Sequence, residues 1–472
     1  MSKTFRAWKI DQPLLLPAVV GDFVPEDHLA RFVLGLVREH LDLVAITGTY
    51  GSVKGQPPFD PVMMTVLLLY GYTQGLYSSR RIAKACRERV DVMCIVGLDP
   101  PDFRTISDFR KRHLKALSGL FVQVLKLCEQ AGLVKLGHVA LDGTKIKANA
   151  SKHKAMSYER MEARAAELEA EVAKWLAAAE AADAAEDAQH GASKSGDEMP
   201  AWVADKANRA ETIRKAKAEL AAEAKAAAAA KAKAQAEAEQ QREAEGRKKP
   251  GPPAAPPSET PDAKAQKNFT DPESRIMKSK DGFVQAYNAQ IAVDGEAQIV
   301  VAQGVTQEAT DKRQLVAMTD AIEANLGVKP AQFSADAGYC SEANLEALQA
   351  RGIDAYIATG RAKHAADSAP AGEAAAAGET GAAATPGKPN APTRVEAMRA
   401  KIKAGGHDSP YRLRKQLPEP VFGQIKHARG FRQFLLRGID KVSGEWGMVC
   451  TAHNITKLFQ GRRLSAAPAA AV

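Results

Sequence analysis

Cysteine is sparse and scattered in this chain: Cys86, Cys94, Cys128, Cys340 and Cys450 lie far apart, and no two form a C-x-x-C pair. That spacing excludes a disulfide framework or a zinc knuckle and fits a reducing, cytoplasmic setting. Long apolar runs are missing too. The longest, Val62 to Tyr72 (VMMTVLLLYGY), falls well short of the roughly 20 residues a membrane span requires, and the N-terminal MSKTFRAWKIDQ lacks the apolar stretch of a secretory signal. His407, His427 and His453 lack metal-ligand spacing and read as exposed or DNA-contacting side chains.

What is there is ordinary globular material in quantity. The 472 residues, 45% hydrophobic and 26% charged, suffice for about three domains at roughly 150 residues each. Neither wholesale disorder nor an integral membrane protein fits that balance. Lys and Arg number 65 against 56 Asp and Glu, a formal charge of +9, which suits either a polyanionic partner or plain solubility charge.

Residues 14 to about 135 read as helical. Asp60-Pro61 places a capping carboxylate before a proline at the first helical position, and Ser78 or Ser79 precedes RRIAKACRERV. The helix over Val62 to Tyr72 is apolar nearly all round, so it belongs inside. Arg80 to Lys115 carry ten basic against five acidic residues, including Arg110-Lys111-Arg112 in ISDFRKRHLKAL, which predicts a basic surface. Such a surface is either a solvated helix face or a DNA-docking one.

The segment GHVALDGTKIKANAS then predicts a short strand, His138 to Leu141, ending at Asp142 with Gly143 next to it. From 152 to about 265 the chain collapses into Ala, Glu, Lys and Gln, closing on the proline-rich GPPAAPPSETP. High helix propensity with almost no large apolar residue predicts a long solvated helix or a helical hairpin followed by a linker, an insertion without chemistry of its own. Globular patterning resumes at Phe283. Tyr287, Ala289, Ile291 and Val293 alternate with Asn288 and Gln290, and Asp294-Gly295 turns the chain into a second apolar run, Ile299 to Ala302. A helix (Asp311 to Asn325), a strand AQFSADA ending at Asp336, a helix (Ser341 to Gln349) and a strand (Ala355 to Ala358) follow, which predicts an α/β core around a mixed sheet. Residues 361–395 read as a second, disordered insertion, and the remainder to 460 as helical and basic. Residues 401–441 hold ten Lys/Arg and only three acids, Asp408, Glu419 and Asp440.

Asp142, Asp336 and Glu419 thus stand at element ends. Carboxylate oxygens are hard ligands suited to Mg²⁺ or Mn²⁺, and two such ions about 3.5 to 4 Å apart can clamp the attacking and leaving oxygens of a phosphoryl transfer. A chain with 56 acids offers many such triples on spacing alone. Asp142 could equally be a turn residue, and Glu419 a first-turn carboxylate favoured by the helix dipole. Trp446 and Phe431 read as core residues rather than base-stacking ones.

The run YRLRKQLPEPVFGQIKHARGFRQFLLRGIDKVSGEWGMVCTAHNITKL resembles the C-terminal part of bacterial insertion-sequence transposases of the DDE type, the group bearing a Y-R-E-K signature. Tyr411, Arg414, Glu419 and Lys426 match it, with six residues between Glu419 and Lys426. Four residues rather than three separate Arg414 from Glu419, so Lys415 is the other candidate for the arginine's place. ALDGTKIKANAS and SADAGYCSEANL resemble the surroundings of the first and second aspartates. GQPPFDPVMMTVLLLYGYTQGLYSSRRIAKAC and PPDFRTISDFRKRH resemble the helical N-terminal domain of the same transposases.

The resemblance implies an α/β, ribonuclease-H-like mixed-sheet core with a helical DNA-binding domain before it. Asp142, Asp336 and Glu419 would be the catalytic residues and the ligands of two Mg²⁺ or Mn²⁺ ions. Tyr411, Arg414 and Lys426 would contact DNA, as would Arg80, Arg81, Arg110, Lys111 and Arg112. The implied activity is binding of terminal inverted repeats, cleavage of the DNA ends and joining of 3′-hydroxyls to target DNA, by a homo-oligomer when synapsed, at the bacterial nucleoid. The domains would be 1–135 (helical), 136–152 (first strand of the core), 153–265 (low-complexity insertion), 266–360 (catalytic core), 361–395 (disordered insertion), 396–460 (C-terminal helical part) and 461–472 (tail). Glu445 in SGEWGMVC is the competing third acid. LDGT is also similar to the haloacid-dehalogenase phosphatase signature, but Ala140 stands where its nucleophilic aspartate would be. A catalytically inactive, transposase-derived DNA-binding protein is the remaining alternative, and the presence of all three acids argues against it.

Overall fold

The computed structural model describes residues 19–51, 57–151, 155–190, 201–244, 256–279, 282–360 and 392–466. The second insertion therefore lies almost wholly outside the described residues, as do parts of the linker and the tail. The helical N-terminal part comprises α1 (Leu29–Glu39), α2 (Val44–Thr47), α3 (Pro61–Thr73), α4 (Ser79–Glu88), α5 (Val90–Val96) and α6 (Phe103–Gln130). α3 starts where its cap dictates: the Asp60 carboxylate accepts from the Val62 and Met63 amides (2.7 and 3.4 Å), and Pro61 has no amide to leave unpaired. Every residue of α3 from Met64 to Thr73 is buried, as an all-round apolar helix must be.

The sheet follows: β1 (His138–Lys147), β2 (Ala155–Ser157), α7 (Tyr158–His190), α8 (Ala201–Ala244), β3 (Gln266–Asn268), β4 (Arg275–Ser279), β5 (Gly282–Asp294), β6 (Val300–Thr306), α9 (Gln314–Leu326), β7 (Gln332–Ala335), α10 (Glu342–Ala350) and β8 (Asp354–Ile357). The chain then forms α11 (Arg394–Gly405), α12 (Leu413–Gln416), α13 (Pro418–Gly423), a π-helical turn at Gln424–Ala428 and α14 (Ile439–Ala466). The main sheet runs β4-β5-β1-β7-β8, with β6 also on β5. β1 is antiparallel to β5 and parallel to β7, which makes the mixed sheet of a ribonuclease-H-like core.

One expectation about this sheet is corrected: β1 does not end at Asp142 but continues to Lys147. The long antiparallel partner β5 carries it on, from Val139 opposite Asp294 to Lys147 opposite Ala286. Its parallel partner β7 stops earlier, at Leu141 opposite Ala335.

α14 crosses the fold and packs in parallel against α6. The approach is close because glycines line it: a Cβ on Gly444 would come within 2.7 Å of Leu114 Cγ, and one on Gly447 within 2.3 Å of Ser118 Oγ. A single apolar core accordingly runs from Ala30 through α3, α6 and the sheet to Leu458. The boundary near 135 is thus a change of sequence character and not of packing. Trp446 and Phe431 lie inside this core, with ring centroids 6.3 Å apart. His453 departs from the exposed role its sequence context suggested. It is fully buried on α14, donates from Nε2 to the Gln298 carbonyl at 2.9 Å, and burial pushes its pKa down to about 3.

The Ala/Lys/Glu insertion folds as a helical hairpin. α7 and α8 run antiparallel, joined by Glu162–Lys217 (2.8 Å), Glu169–Arg214 (3.4 Å) and Glu171–Lys206. A thin seam of Met161, Ala165, Leu168, Ala210, Ile213, Ala216 and Leu220 lies between them. At its base β2 pairs with β3, and buried Lys267 meets Glu219 and Glu223 at 2.6 and 3.0 Å.

Candidate active site

The register of two parallel strands assembles the site. Leu141 and Ala335 are paired, so the residues that follow them, Asp142 and Asp336, emerge side by side. Each aspartate uses Oδ1 locally: Asp142 accepts from the Gly143 amide and Asp336 from the Gly338 amide, both at 2.8 Å. Both Oδ2 atoms face Arg414, whose Nη2 lies 3.9 Å from Asp142 and 3.5 Å from Asp336. Burial raises the Asp142 pKa to about 6; the Arg414 charge and the Gly143 amide oppose the rise, and the neighbouring charges of Asp336 and Asp311 add to it.

Asp311 escaped the reading of the sequence. Its Oδ1 accepts from Asn288 (2.6 Å), Gln290 (2.8 Å) and Lys145 (3.4 Å). Gln290 in turn accepts from the buried Tyr339 hydroxyl. This network lies directly over β1, where a Cβ on Gly143 would come within 2.8 Å of Asp311 Oδ1. Glycine at 143 is therefore a packing requirement of the site. A signal did exist: Asn288 and Gln290 share one face of an otherwise apolar strand, and such buried amides need a polar partner.

Other predicted residues converge on the same site. Lys426, on the π-helical turn, donates to the Thr144 hydroxyl and to the Lys145 carbonyl (3.3 Å), two and three residues beyond Asp142. π-turns of this kind recur at functional sites. Tyr411 is partly buried, and its hydroxyl pKa is raised first by burial and then by the nearby charges of Asp336 and Asp142. Of the two candidates for the arginine's place, Arg414 faces the aspartates, while Lys415 is exposed.

Glu419 is not brought to the pair. It is exposed near the start of α13, a helix that packs against β1 and β5. Among the described residues, no three His, Cys, Asp or Glu side chains are gathered into a ready metal cage. Glu445 is wholly enclosed in α14. Its Oε2 accepts from the Leu435 and Leu436 amides (3.0 and 3.1 Å), its Oε1 has no partner, and burial raises its pKa to about 7.

On the helical part, Arg80 and Arg81 on α4 and Lys111 and Arg112 on α6 are exposed, and Lys111 pairs with Asp108 at 3.5 Å. The guanidinium groups of Arg80 and Arg104 both approach the Phe103 ring, at 5.1 and 5.4 Å. Arg110 is a correction. It shares the inward face of α6 with Ile106, His113 and Leu117, is 6% exposed, and donates to the Tyr77 carbonyl (2.7 Å) and the Tyr72 hydroxyl (3.3 Å). The helical period hid this, because a run of three basic residues cannot all face outward.

A mixed sheet that sets two aspartates together where the parallel pairing of β1 and β7 stops, with basic side chains around them, defines a ribonuclease-H-like core of the DDE kind. Residues 18–112 match the family described as Transposase domain (DUF772), and residues 255–455 match the Transposase DDE domain. Together the two matches span well over half of the chain, which belongs to the insertion-sequence DDE transposases. The second match begins after the hairpin, so it omits β1 and Asp142; the sheet restores them, seating β1 between β5 and β7. No curated protein and no solved structure matches the chain. Among the described residues, no helix is long and apolar enough to cross a membrane.

Proposed function

We propose that this transposase binds the terminal inverted repeats of its insertion sequence, cleaves DNA at their ends and joins the 3′-hydroxyls to target DNA, as a homo-oligomer in the synapsed state. The observation that carries this reading is the adjacency of Asp142 and Asp336 beneath Arg414, flanked by Tyr411 and Lys426. The donors fit hard divalent cations: two carboxylates stand together with Arg414 as their nearest counter-charge, and a third, Asp311, lies behind them paired with Lys145. Asp142 and Asp336 would hold the Mg²⁺ or Mn²⁺ ions, and Glu419, exposed on α13, would have to move toward them to complete the set. When bound, such ions neutralise charge and polarise the phosphoryl oxygens of the transfer. Arg414 offers a fork to a backbone phosphate and Lys426 a point charge, while Tyr411 lines the site. Arg80, Arg81, Lys111 and Arg112 serve the duplex electrostatically, without reading sequence.

The test is metal-dependent cleavage of DNA carrying the element's own ends. Asp142→Asn, Asp336→Asn and Glu419→Gln should each abolish cleavage while leaving end binding largely intact. Near-normal cleavage by Glu419→Gln with loss in Asp311→Asn would move the third carboxylate to Asp311. Hydrolysis of small phosphate esters without DNA would sink the transposition reading.

A further inference from the structure

We propose that Arg414 is the built-in counter-ion of the aspartate pair: it stands in for a divalent cation until one binds, and is then released to a DNA phosphate. The inference rests on the functional reading above, since it takes Asp142 and Asp336 as the cation site.

Three features of the arginine support it. First, its Nη2 sits between two carboxylate oxygens at 3.5 and 3.9 Å, both longer than a charge-assisted hydrogen bond of about 2.7 to 2.9 Å. The guanidinium balances two charges at once, donating a long hydrogen bond to Asp336 Oδ2 and none to Asp142. Second, its Nε is buried with no hydrogen-bond partner. Its hold on the pair is one long hydrogen bond to Asp336 and charge toward Asp142, with Nε left over. Third, its mount is slight. α12 is a single turn between a 3-10 turn at Pro410–Arg412 and α13, so no long helix anchors the side chain.

Arg414 offsets the charge of Asp142 and Asp336. Asp142 is partly buried and feels the charges of both Asp336 and Asp311, the latter paired with Lys145 at 3.4 Å. A divalent ion brings twice the charge to the place where one guanidinium now stands, and Coulomb attraction scales with that charge. Two cationic groups cannot share the spot, so the ion displaces the arginine. Freed, Arg414 stays at the site with Tyr411 and Lys426, where its planar fork matches a phosphate in two-point geometry. Cation loading and grip on the DNA backbone are then coupled, and coupling between two binding events is reciprocal.

The experiment measures Mn²⁺ binding to the full-length protein without DNA, by calorimetry, for the wild type, Arg414→Gln and Arg414→Lys. Removing the competing charge should tighten Mn²⁺ binding about tenfold in Arg414→Gln, whereas Arg414→Lys should stay near the wild type; tenfold corresponds to roughly 1.4 kcal/mol. Ca²⁺, another hard cation for oxygen ligands, should strengthen DNA binding by the wild type and fail to do so for Arg414→Gln. Equal or weaker Mn²⁺ binding by an Arg414→Gln variant with an unchanged unfolding midpoint would overturn the counter-ion role and leave the cation site standing. Absence of Mn²⁺ binding in all three proteins would bring down the cation site and this inference with it.

Discussion

The α6–α14 pair and the α7–α8 hairpin are both made of long helices, of 28 and 28 residues in the first and 33 and 44 in the second. In the first pair, α6 buries Ile106, Phe109, Leu114, Leu117, Leu120, Phe121, Val124 and Leu125, and α14 presents glycines so that the axes come close. In the second, the seam is thin, three alanines with Met161, Leu168, Ile213 and Leu220, and ion pairs join the exposed flanks. Apolar surface removed from water is what welds an element to a fold, at about 25 cal/mol per Å². Helix propensity alone makes a helix but does not attach it to anything. Hence the first pair belongs to the common core that carries the site, and the hairpin stands on a narrow base at β2 and β3.

The largest effect that could break this contrast is a matched pair of cuts. Leu117 and Leu168 are both buried, at 0% and 1% exposure. Leu117→Ala should cost the core about 2 to 5 kcal/mol in denaturant unfolding. Leu168→Ala should leave the core transition unmoved and loosen only the hairpin. Replacing residues 158–262 with a short flexible linker should likewise preserve one cooperative core transition. If the linker variant loses that transition, or Leu168→Ala lowers it as much as Leu117→Ala, the hairpin is part of the core after all.

A middle-sized effect concerns Glu445, a carboxyl enclosed in α14 near Arg110. Its pKa is raised from 4.5 to about 7 in the fold, so the native state takes up a proton before the unfolded chain does. The resulting stabilisation is present below the ordinary carboxylate value and is lost as pH rises through about 7. Glu445→Gln keeps an acceptor for the Leu435 and Leu436 amides and removes the charge. It should therefore be more stable than the wild type at pH 8, with the advantage gone by pH 5. Parallel stability curves for the two proteins across that range would show that the buried charge costs nothing.

The smallest effect belongs to the hairpin surface. Glu162–Lys217 is a 2.8 Å ion pair with the glutamate 64% exposed, so solvent screens it. A double-mutant cycle should give a coupling of about 0 to 1 kcal/mol that shrinks with added salt. A larger, salt-independent value would mean that the hairpin is held by more than its thin seam.

The α3 cap, the β5–β6 hairpin turning at Asp294-Gly295, the strand that delivers Asp336 and the helical nature of the insertion were legible because each is written in neighbouring residues. Caps, turn dipeptides and period-two alternation act over a few residues, and the chain carries them wherever it goes. The order of Tyr411, Arg414, Glu419 and Lys426 is read along the chain in the same local way, but the part each plays is not.

What only the tertiary structure decided is which distant residues meet and which way a side chain faces. Asp142 and Asp336 are neighbours because β1 and β7 pair in parallel with one register, across 194 residues of chain that include the hairpin. Asp311 joins them because buried amides on β5 need an acceptor, a demand invisible until β5 lies beside β1. Arg110 turns inward and Lys111 outward because α6 has one face on the core, and His453 is sealed because α14 is buried on nearly every side. Composition and periodicity set which elements form. Long-range packing, which closes large loops to bury apolar surface, set where their charges ended up.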